Sequence, residues 1–115
     1  MPSQTYKSHK WVILEITKDV LPQAVHVIFY TLINPLTRSE VEKLDIIKSV
    51  SVVDGKYNFV DYSNNTIICE FNSYGTTSYS LPLLNQRIED TVKSNTSTPV
   101  LMPSDTNFLE LNYAN

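Results

Sequence analysis

Cysteine is nearly absent from this sequence, which holds only Cys69 among its 115 residues. A single cysteine excludes an intrachain disulfide and a metal site built from several thiolates. It is also typical of proteins from reducing compartments. We therefore expect a cytoplasmic protein that uses no cofactor.

Long apolar runs and an excess of positive charge are missing as well. The longest apolar runs have the length of a strand, too short for a membrane-spanning helix, and Met1 to Lys10 is polar and unlike a signal peptide. The chain has nine Lys and Arg residues and twelve Asp and Glu residues, which gives a net charge of -3. Nucleic-acid binders usually carry a basic patch. We expect neither a membrane nor a nucleic acid as a partner.

The composition that remains is that of a globular protein. Apolar residues make up 42% and charged residues 18% of the chain, a balance that favours a folded core over disorder. A chain of this length buries about two-thirds of its unfolded surface. We predict a single domain over residues 1–115.

Two β-rich segments near the N-terminus predict an antiparallel pair of strands. Trp11 to Thr17 and Ala24 to Thr31 are apolar and β-branched, and the loop between them contains Pro22, which cannot continue a ladder. Alternation places Trp11 and Ile13 on the face opposite Val12. Because both faces are apolar, both should be covered.

The stretch from Val52 to Phe71 predicts three strands joined by two tight turns. Asp54-Gly55 suits a type I′ turn, and Asn64-Asn65 can adopt the same conformation. Two-residue turns place Val52 opposite Tyr57 and Tyr62 opposite Ile67. One face then carries Val50, Val52, Tyr57, Phe59 and Ile68, and the other carries Val60, Tyr62, Ile67, Cys69 and Phe71. A single helix cannot cover both, so either a bulge shifts the register or a second layer, such as a partner subunit, covers the far face.

Helical signals appear in two places. Thr37 followed by Glu40 matches a capping box and suggests one or two helical turns within Leu32 to Leu44. From Leu81 to Ser94, apolar residues recur at helical spacing after Ser80 and Pro82. Beyond this helix, Pro99 to Met102 suggests a short edge strand, and Ser104-Asp105 suggests the cap of a final turn carrying Phe108.

Together these elements predict an α+β fold. It would consist of an antiparallel sheet of about five strands with one main C-terminal helix packed on one face.

Catalytic motifs are lacking, so we do not expect an enzyme. The sequence has no glycine-rich phosphate loop, no GxSxG and no HExxH. His26 lies in a predicted strand with no second histidine nearby, and Cys69 lies in mid-strand. A packed, structural role is the simpler interpretation of both.

The best candidate site in the sequence is the hydroxyl-rich connector that precedes the predicted helix. Hydroxyls, a flexible glycine and backbone N–H groups at a helix start can hold an anion such as phosphate, and Arg87 could reach back from the helix. The alternative is that Ser78 or Ser80 only caps the helix. The predicted ligand-binding residues are Ser73, Tyr74, Gly75, Thr76, Thr77, Ser78, Tyr79 and Arg87.

Parts of residues 46–88 resemble a family of small proteins encoded by tailed phages. The similarity lies in Asp54-Gly55-Lys56-Tyr57, in Tyr62 to Cys69 and in Ser73-Tyr74-Gly75, together with Lys10-Trp11-Val12 upstream. Asn64-Asn65 stands where such proteins tend to have Ser-Gly. The resemblance implies a viral accessory protein without implying a mechanism.

These observations lead to two functional hypotheses. The first is a non-enzymatic binding protein, such as a phage counter-defence factor that sequesters a small anionic, nucleotide-like ligand or blocks a host protein. The alternative is a structural or interaction protein that acts as a homo-oligomer through its two-sided sheet.

Overall fold

The described residues form seven strands and two short 3-10 helices. A computed structural model describes residues 3–16, 25–75, 86 and 100–111. The strands are β1 (Thr5–Lys7), β2 (Lys10–Ile16), β3 (Val25–Ile33), β4 (Glu40–Val53), β5 (Lys56–Asp61), β6 (Thr66–Glu70) and β7 (Val100–Leu101). The 3-10 helices are η1 (Phe71–Ser73) and η2 (Phe108–Glu110).

The strands form one mixed sheet in the order β1-β6-β5-β4-β3-β2-β7. β1 pairs with β6 in parallel, and every other pairing in the sheet is antiparallel. The predicted pairing of β2 with β3 is confirmed, with Trp11 opposite Tyr30. The predicted edge strand is also confirmed, because β7 pairs with β2.

The N-terminal segment closes this sheet into a barrel. β1 and β2 are separated only by Ser8 and His9, yet β1 pairs with β6 and β2 pairs with β3. At the crossing, the Ser8 amide donates to the Ile68 carbonyl at 2.9 Å and the His9 amide donates to the Thr31 carbonyl at 2.8 Å. One continuous segment therefore joins both ends of the β3–β4–β5–β6 meander.

The long strand β4 pairs with two neighbouring strands, one along each half of its length. Residues Glu40 to Ile46 pair with β3, and residues Ile47 to Val53 pair with β5. The register shifts between Ile47 and Ser49. An irregularity of this kind increases local twist and bend, which a small barrel requires.

The core consists of two apolar clusters, one on each face of β2 and β3. The inner cluster fills the barrel and is made up of Trp11, Ile13, Ile28, Tyr30, Ile47, Phe59, Ile67, Cys69 and Phe108. The outer cluster comprises Val12, Leu14, Ile16, Val25, Val27, Phe29 and Leu44. The prediction that β2 and β3 are covered on both faces is therefore confirmed.

The predicted α+β fold is wrong. The described residues form a seven-stranded mixed sheet and contain no helix of seven or more residues. Apart from Gln86, the predicted helix from Leu81 to Ser94 lies outside the described residues. Closure explains the difference, because a sheet that curls into a barrel buries its inner face against itself and needs no helix there.

The helical interpretation of residues 32–44 is also wrong. Asn34 accepts hydrogen bonds through its side chain from the Leu36 and Thr37 amides, and its carbonyl accepts from the Arg38 amide. Arg38 adopts a φ of 62°. The presumed capping residue Thr37 instead accepts from the Ser39 amide at 3.3 Å. The segment is a turn followed by the start of β4, because short polar side chains bond local backbone groups as readily in turns as in helix caps.

The first predicted hairpin turn is confirmed and the second is not. Asp54 and Gly55 have φ values of 53° and 74°, as a type I′ turn requires, and Val52 lies opposite Tyr57. Between β5 and β6, however, Phe59 lies opposite Ile67 and Val60 opposite Thr66. The connection is longer than the two-residue turn predicted at Asn64-Asn65.

This change of register moves side chains to the opposite face. A shift by an odd number of residues exchanges the two faces of a strand, and Ile67 and Cys69 accordingly join Phe59 inside the barrel. The predicted second apolar face of Val60, Tyr62, Ile67, Cys69 and Phe71 does not form. The homo-oligomer stays a prediction, but this register no longer supports it.

The final predicted turn has a different cap. Asn107, not Ser104 or Asp105, accepts a hydrogen bond from the Leu109 amide at the start of η2. Phe108 from this turn is 2% exposed and packs against Trp11, with ring centroids 5.5 Å apart. η2 thereby places the Phe108 ring, which we call the aromatic plug, in the inner cluster.

Candidate binding groove

Two open cavities lie side by side where the N-terminal segment crosses from β6 to β3. The first, of about 440 Å³, lies between β1 and the turn that joins β3 to β4. The second, of about 430 Å³, lies at the β1–β2 crossing and extends to η1. We call them the mouth cavity and the crossing cavity. Both volumes fall within the range of about 300–1,000 Å³ common for small-molecule sites.

The mouth cavity continues the inside of the barrel. Tyr6 and Leu32 pack against the inner cluster from its open end. Val41 pairs with Leu32, and Lys43 pairs with the inward-facing Tyr30, so these β4 side chains share the inner face. All four of Tyr6, Leu32, Val41 and Lys43 line the cavity. Its lining therefore combines one aromatic ring and several aliphatic side chains with two lysines, Lys7 and Lys43.

Lys43 and Tyr6 are in direct contact. The Lys43 Nζ lies 4.6 Å from the centroid of the Tyr6 ring, which is cation–π geometry. The Tyr6 hydroxyl donates to Gln4 at 2.7 Å. On the inner side, the Tyr6 ring lies 6.4 Å from the Tyr30 ring. These contacts orient the aromatic ring at the mouth and hold a positive charge next to it.

A polar pair lies below the mouth. The Tyr30 hydroxyl donates to Asp45 Oδ2 in a very short hydrogen bond. Burial raises the pKa of Asp45 above 3.8, and the nearby Asp61 raises it further, while the Tyr30 hydrogen bond and Lys43 lower it. Burial and the Asp45 carboxylate together raise the pKa of Tyr30 well above its usual range. We call Tyr30 and Asp45 the floor of the mouth: they lie on the inner face behind Tyr6 and bond each other, and neither is part of the cavity lining itself.

The crossing cavity has a different chemistry. It is lined by Lys7, Ser8, His9, Ile33, Glu70 and Ser73. Glu70 is partly exposed and lies 3.7 Å from Lys56 Nζ. Its lining contains two serines, a histidine, a glutamate and a lysine, whereas that of the mouth cavity has more apolar side chains.

Lys7 and Ile33 line both cavities. The position of the Lys7 backbone is fixed by its pairing with Ile68 and by the neighbouring amide of Ser8, which donates to the Ile68 carbonyl. Lys7, on a strand held by these bonds, therefore belongs to the lining of both cavities, on a protein whose net charge is negative.

The residues predicted from the connector divide into three groups. Ser73 lines the crossing cavity. Tyr74 and Gly75 instead extend the sheet: Tyr74 forms a parallel bridge with Trp11, and the Gly75 amide donates to the Trp11 carbonyl at 2.9 Å. The other five, Thr76, Thr77, Ser78, Tyr79 and Arg87, lie outside the described residues.

Tyr74 is built into the core by both its ring and its hydroxyl. The ring lies edge-on to Trp11, with centroids 4.7 Å apart. The hydroxyl donates to the Met102 carbonyl at 2.5 Å and lies 3.3 Å from the Ile13 amide and carbonyl. These contacts join β2 to the chain beyond β7.

His26 and Cys69 occupy packed positions within strands. His26 is 4% exposed, and its Nε2 lies 3.1 Å from Glu15 Oε2 on the neighbouring strand. Cys69 is fully buried in the inner cluster, and burial raises the pKa of its thiol well above its usual range. Such a thiol is not activated as a nucleophile.

No group of three or more His, Cys, Asp or Glu side chains in the described part of the chain is arranged to hold a metal ion. Within the same ranges, no helix has the length and hydropathy needed to cross a bilayer. Searches with protein-family models, curated proteins and solved structures found no match to this chain.

Sequence reasoning missed Tyr6, Lys7 and Lys43. Tyr6 and Lys7 lie in a polar N-terminal stretch that gave no strand signal, and Lys43 lies in the segment interpreted as helical. One signal was present: Glu40 to Ile46 can be read as alternating, with Val41, Lys43 and Asp45 on one face. That pattern would have placed Lys43 and Asp45 together.

Proposed function

We propose that this protein is a non-enzymatic binding protein that holds a small anionic, nucleotide-like ligand in the mouth cavity. The contact between Lys43 and Tyr6 is the observation that carries the proposal. A flat aromatic ring can stack on a nucleobase, and an ammonium group beside it can pair with a phosphate. The apolar side chains of Leu32 and Val41 complete a surface suited to a base.

The charges around the cavity favour an anion. Lys7 and Lys43 both line the mouth, whereas Glu40 and Glu42 alternate with Val41 and Lys43 and so point to the outer face of β4. Asp45 lies below, bonded to Tyr30. The two lysines in the lining of the mouth therefore favour an anion.

The biological role that we propose is sequestration. The phage-like residues motivate a viral accessory or counter-defence protein, which would remove a signalling nucleotide from solution by binding it. Blocking of a host protein, the other form of this hypothesis, stays a prediction.

Isothermal titration with AMP, GMP, CMP and UMP tests the proposal. We expect at least one of them to bind, and we expect Lys43→Met to weaken that binding at least tenfold, because methionine keeps the length of the side chain and removes its charge. Lys48→Met is the matched control, since Lys48 is exposed outside both cavities and bonds Asn64. The absence of heat with all four nucleotides at millimolar concentration would overturn the proposal, as would equal effects of the two substitutions.

A further inference from the structure

The two cavities differ in chemistry but share one cation, and this arrangement restricts the shape of the ligand. Resting on the proposed function, we infer that the ligand is a dinucleotide whose anionic linkage lies over Lys7, with one nucleoside in each cavity. The linkage would be a phosphodiester or a pyrophosphate.

The position of Lys7 is the first step. It lines both cavities, and among the described residues only Ile33 does the same. A mononucleotide carries its phosphate at one end. With that phosphate at Lys7, its base and sugar fill one cavity and leave the other unused. A molecule with its negative charge in the middle places a nucleoside on each side of Lys7.

The position of Glu70 is the second step. Glu70 lines the crossing cavity with Ser8, His9 and Ser73, and its carboxylate lies 3.7 Å from Lys56 Nζ. A carboxylate repels a phosphate placed beside it, but it accepts hydrogen bonds from ribose hydroxyls. The crossing cavity therefore suits a sugar, and the phosphate belongs nearer to Lys7 and Lys43.

The mouth cavity supplies the third step. Tyr6, Leu32 and Val41 offer it one aromatic ring and two aliphatic side chains, which suit a base. Lys43 lies against Tyr6 and could turn from the ring toward the linkage. The order across the groove is then one base and its ribose in the mouth cavity, the linkage at Lys7, and the ribose of the second nucleoside in the crossing cavity.

Titration with three probes tests this order: AMP, the phosphodiester-linked dinucleotide ApA, and the pyrophosphate-linked dinucleotide NAD⁺. We expect at least one dinucleotide to bind at least tenfold more tightly than AMP, and the tighter of the two identifies the linkage. Glu70→Gln should weaken the dinucleotide at least threefold and leave AMP unchanged. The backbone bond from Trp11 to the Glu70 carbonyl does not depend on this side chain, so the variant should fold, and thermal unfolding checks that it does.

The variant Ser73→Ala provides a second test of the crossing cavity, with Lys48→Met as the control outside it. The inference is overturned if neither dinucleotide binds more tightly than AMP and if Glu70→Gln and Ser73→Ala have no effect on binding. The proposed function still stands in that case, provided that a mononucleotide binds and that Lys43→Met abolishes its binding. If neither dinucleotide and none of the four mononucleotides binds, the inference and the proposed function are both overturned.

Discussion

The indole Nε1 of Trp11 donates a hydrogen bond of 2.9 Å to the Glu70 carbonyl, across the line where the sheet closes into a barrel. Trp11 is fully buried, and its ring lies within 5.8 Å of the ring centroids of four other aromatic residues. These four are Tyr57, Phe59, Tyr74 and Phe108. One side chain thus links β2, the end of β6 and the aromatic plug of η2.

We expect Trp11→Phe to lower the free energy of unfolding by about 2–3 kcal/mol, because it removes this hydrogen bond and leaves a space in the core. Urea denaturation followed by far-ultraviolet circular dichroism measures the change, since the substitution removes the only tryptophan. Leu109→Ala, at a half-exposed position of η2, serves as a control and should cost less. An unchanged urea midpoint in Trp11→Phe would show that the barrel does not depend on this contact.

Tyr74→Phe separates a structural role from a binding role. The hydroxyl bonds the Met102 carbonyl and approaches Ile13, so its loss should lower the free energy of unfolding by about 1–2 kcal/mol. Because Tyr74 does not line either cavity as the structure describes them, affinity for a nucleotide should stay the same. Lower affinity with unchanged stability would return Tyr74 to the binding site, where sequence reasoning first placed it.

Asp61 organises the turn between β5 and β6. It is 6% exposed, and its Oδ1 accepts hydrogen bonds of 2.9 Å from the Ser63 and Asn65 amides, while its Oδ2 accepts one of 3.1 Å from the Asn65 side chain. We expect Asp61→Ala to cost about 2–3 kcal/mol, since it leaves these donors without their acceptor.

Asp61→Asn is the matched variant, because an amide oxygen still accepts from backbone N–H groups. It should cost less than Asp61→Ala in the same urea experiment. Equal losses in the two variants would mean that the charge of Asp61, and not its hydrogen bonds, supports the turn.

The same turn shows why sequence reasoning succeeded in one hairpin and failed in the next. The Asp54-Gly55 turn is decided by the two residues that form it, because both need positive φ. At Asn64-Asn65 the turn conformation is decided by the Asp61 carboxylate, which accepts hydrogen bonds from backbone amides further along the chain. An aspartate followed by Ser and Asn is a recognisable turn signal, but it competed with a plausible two-residue alternative.

The fold and the site were predicted to different extents for a similar reason. The antiparallel pair of β2 and β3 followed from local alternation. Closure of the sheet did not, because it depends on a parallel pairing between Tyr6 and Ile67, which are distant in sequence. The groove could not be predicted for the same reason, because Tyr6 and Lys43 come into contact only when the sheet closes into a barrel. Ser73, by contrast, was proposed from the composition of the connector, and its role in binding stays a prediction.

Asp45 should make stability depend on pH in an unusual direction for an aspartate. Burial raises its pKa in the folded protein above 3.8, so between 3.8 and the raised value the folded state holds a proton that the unfolded state has lost. The contribution of this group is therefore fully present below pH 3.8 and is lost as the pH rises through the folded-state pKa. Asp45→Asn, which cannot ionise, should remove this fall in the free energy of unfolding.

Tyr30→Phe should extend the pH-dependent loss of stability, whereas Asp45→Asn should remove it. The Tyr30 hydrogen bond lowers the Asp45 pKa, so without it the pKa rises further and the loss of stability extends to higher pH. Urea denaturation at intervals from pH 3 to pH 8 measures each curve, and Asp105→Asn, an exposed aspartate, corrects for the change in net charge. The Asp45 carboxyl carbon, followed by NMR, gives the pKa directly. A pKa below 3.8 in the folded protein would contradict the burial argument, because the Tyr30 and Lys43 interactions would then outweigh desolvation at the floor of the mouth.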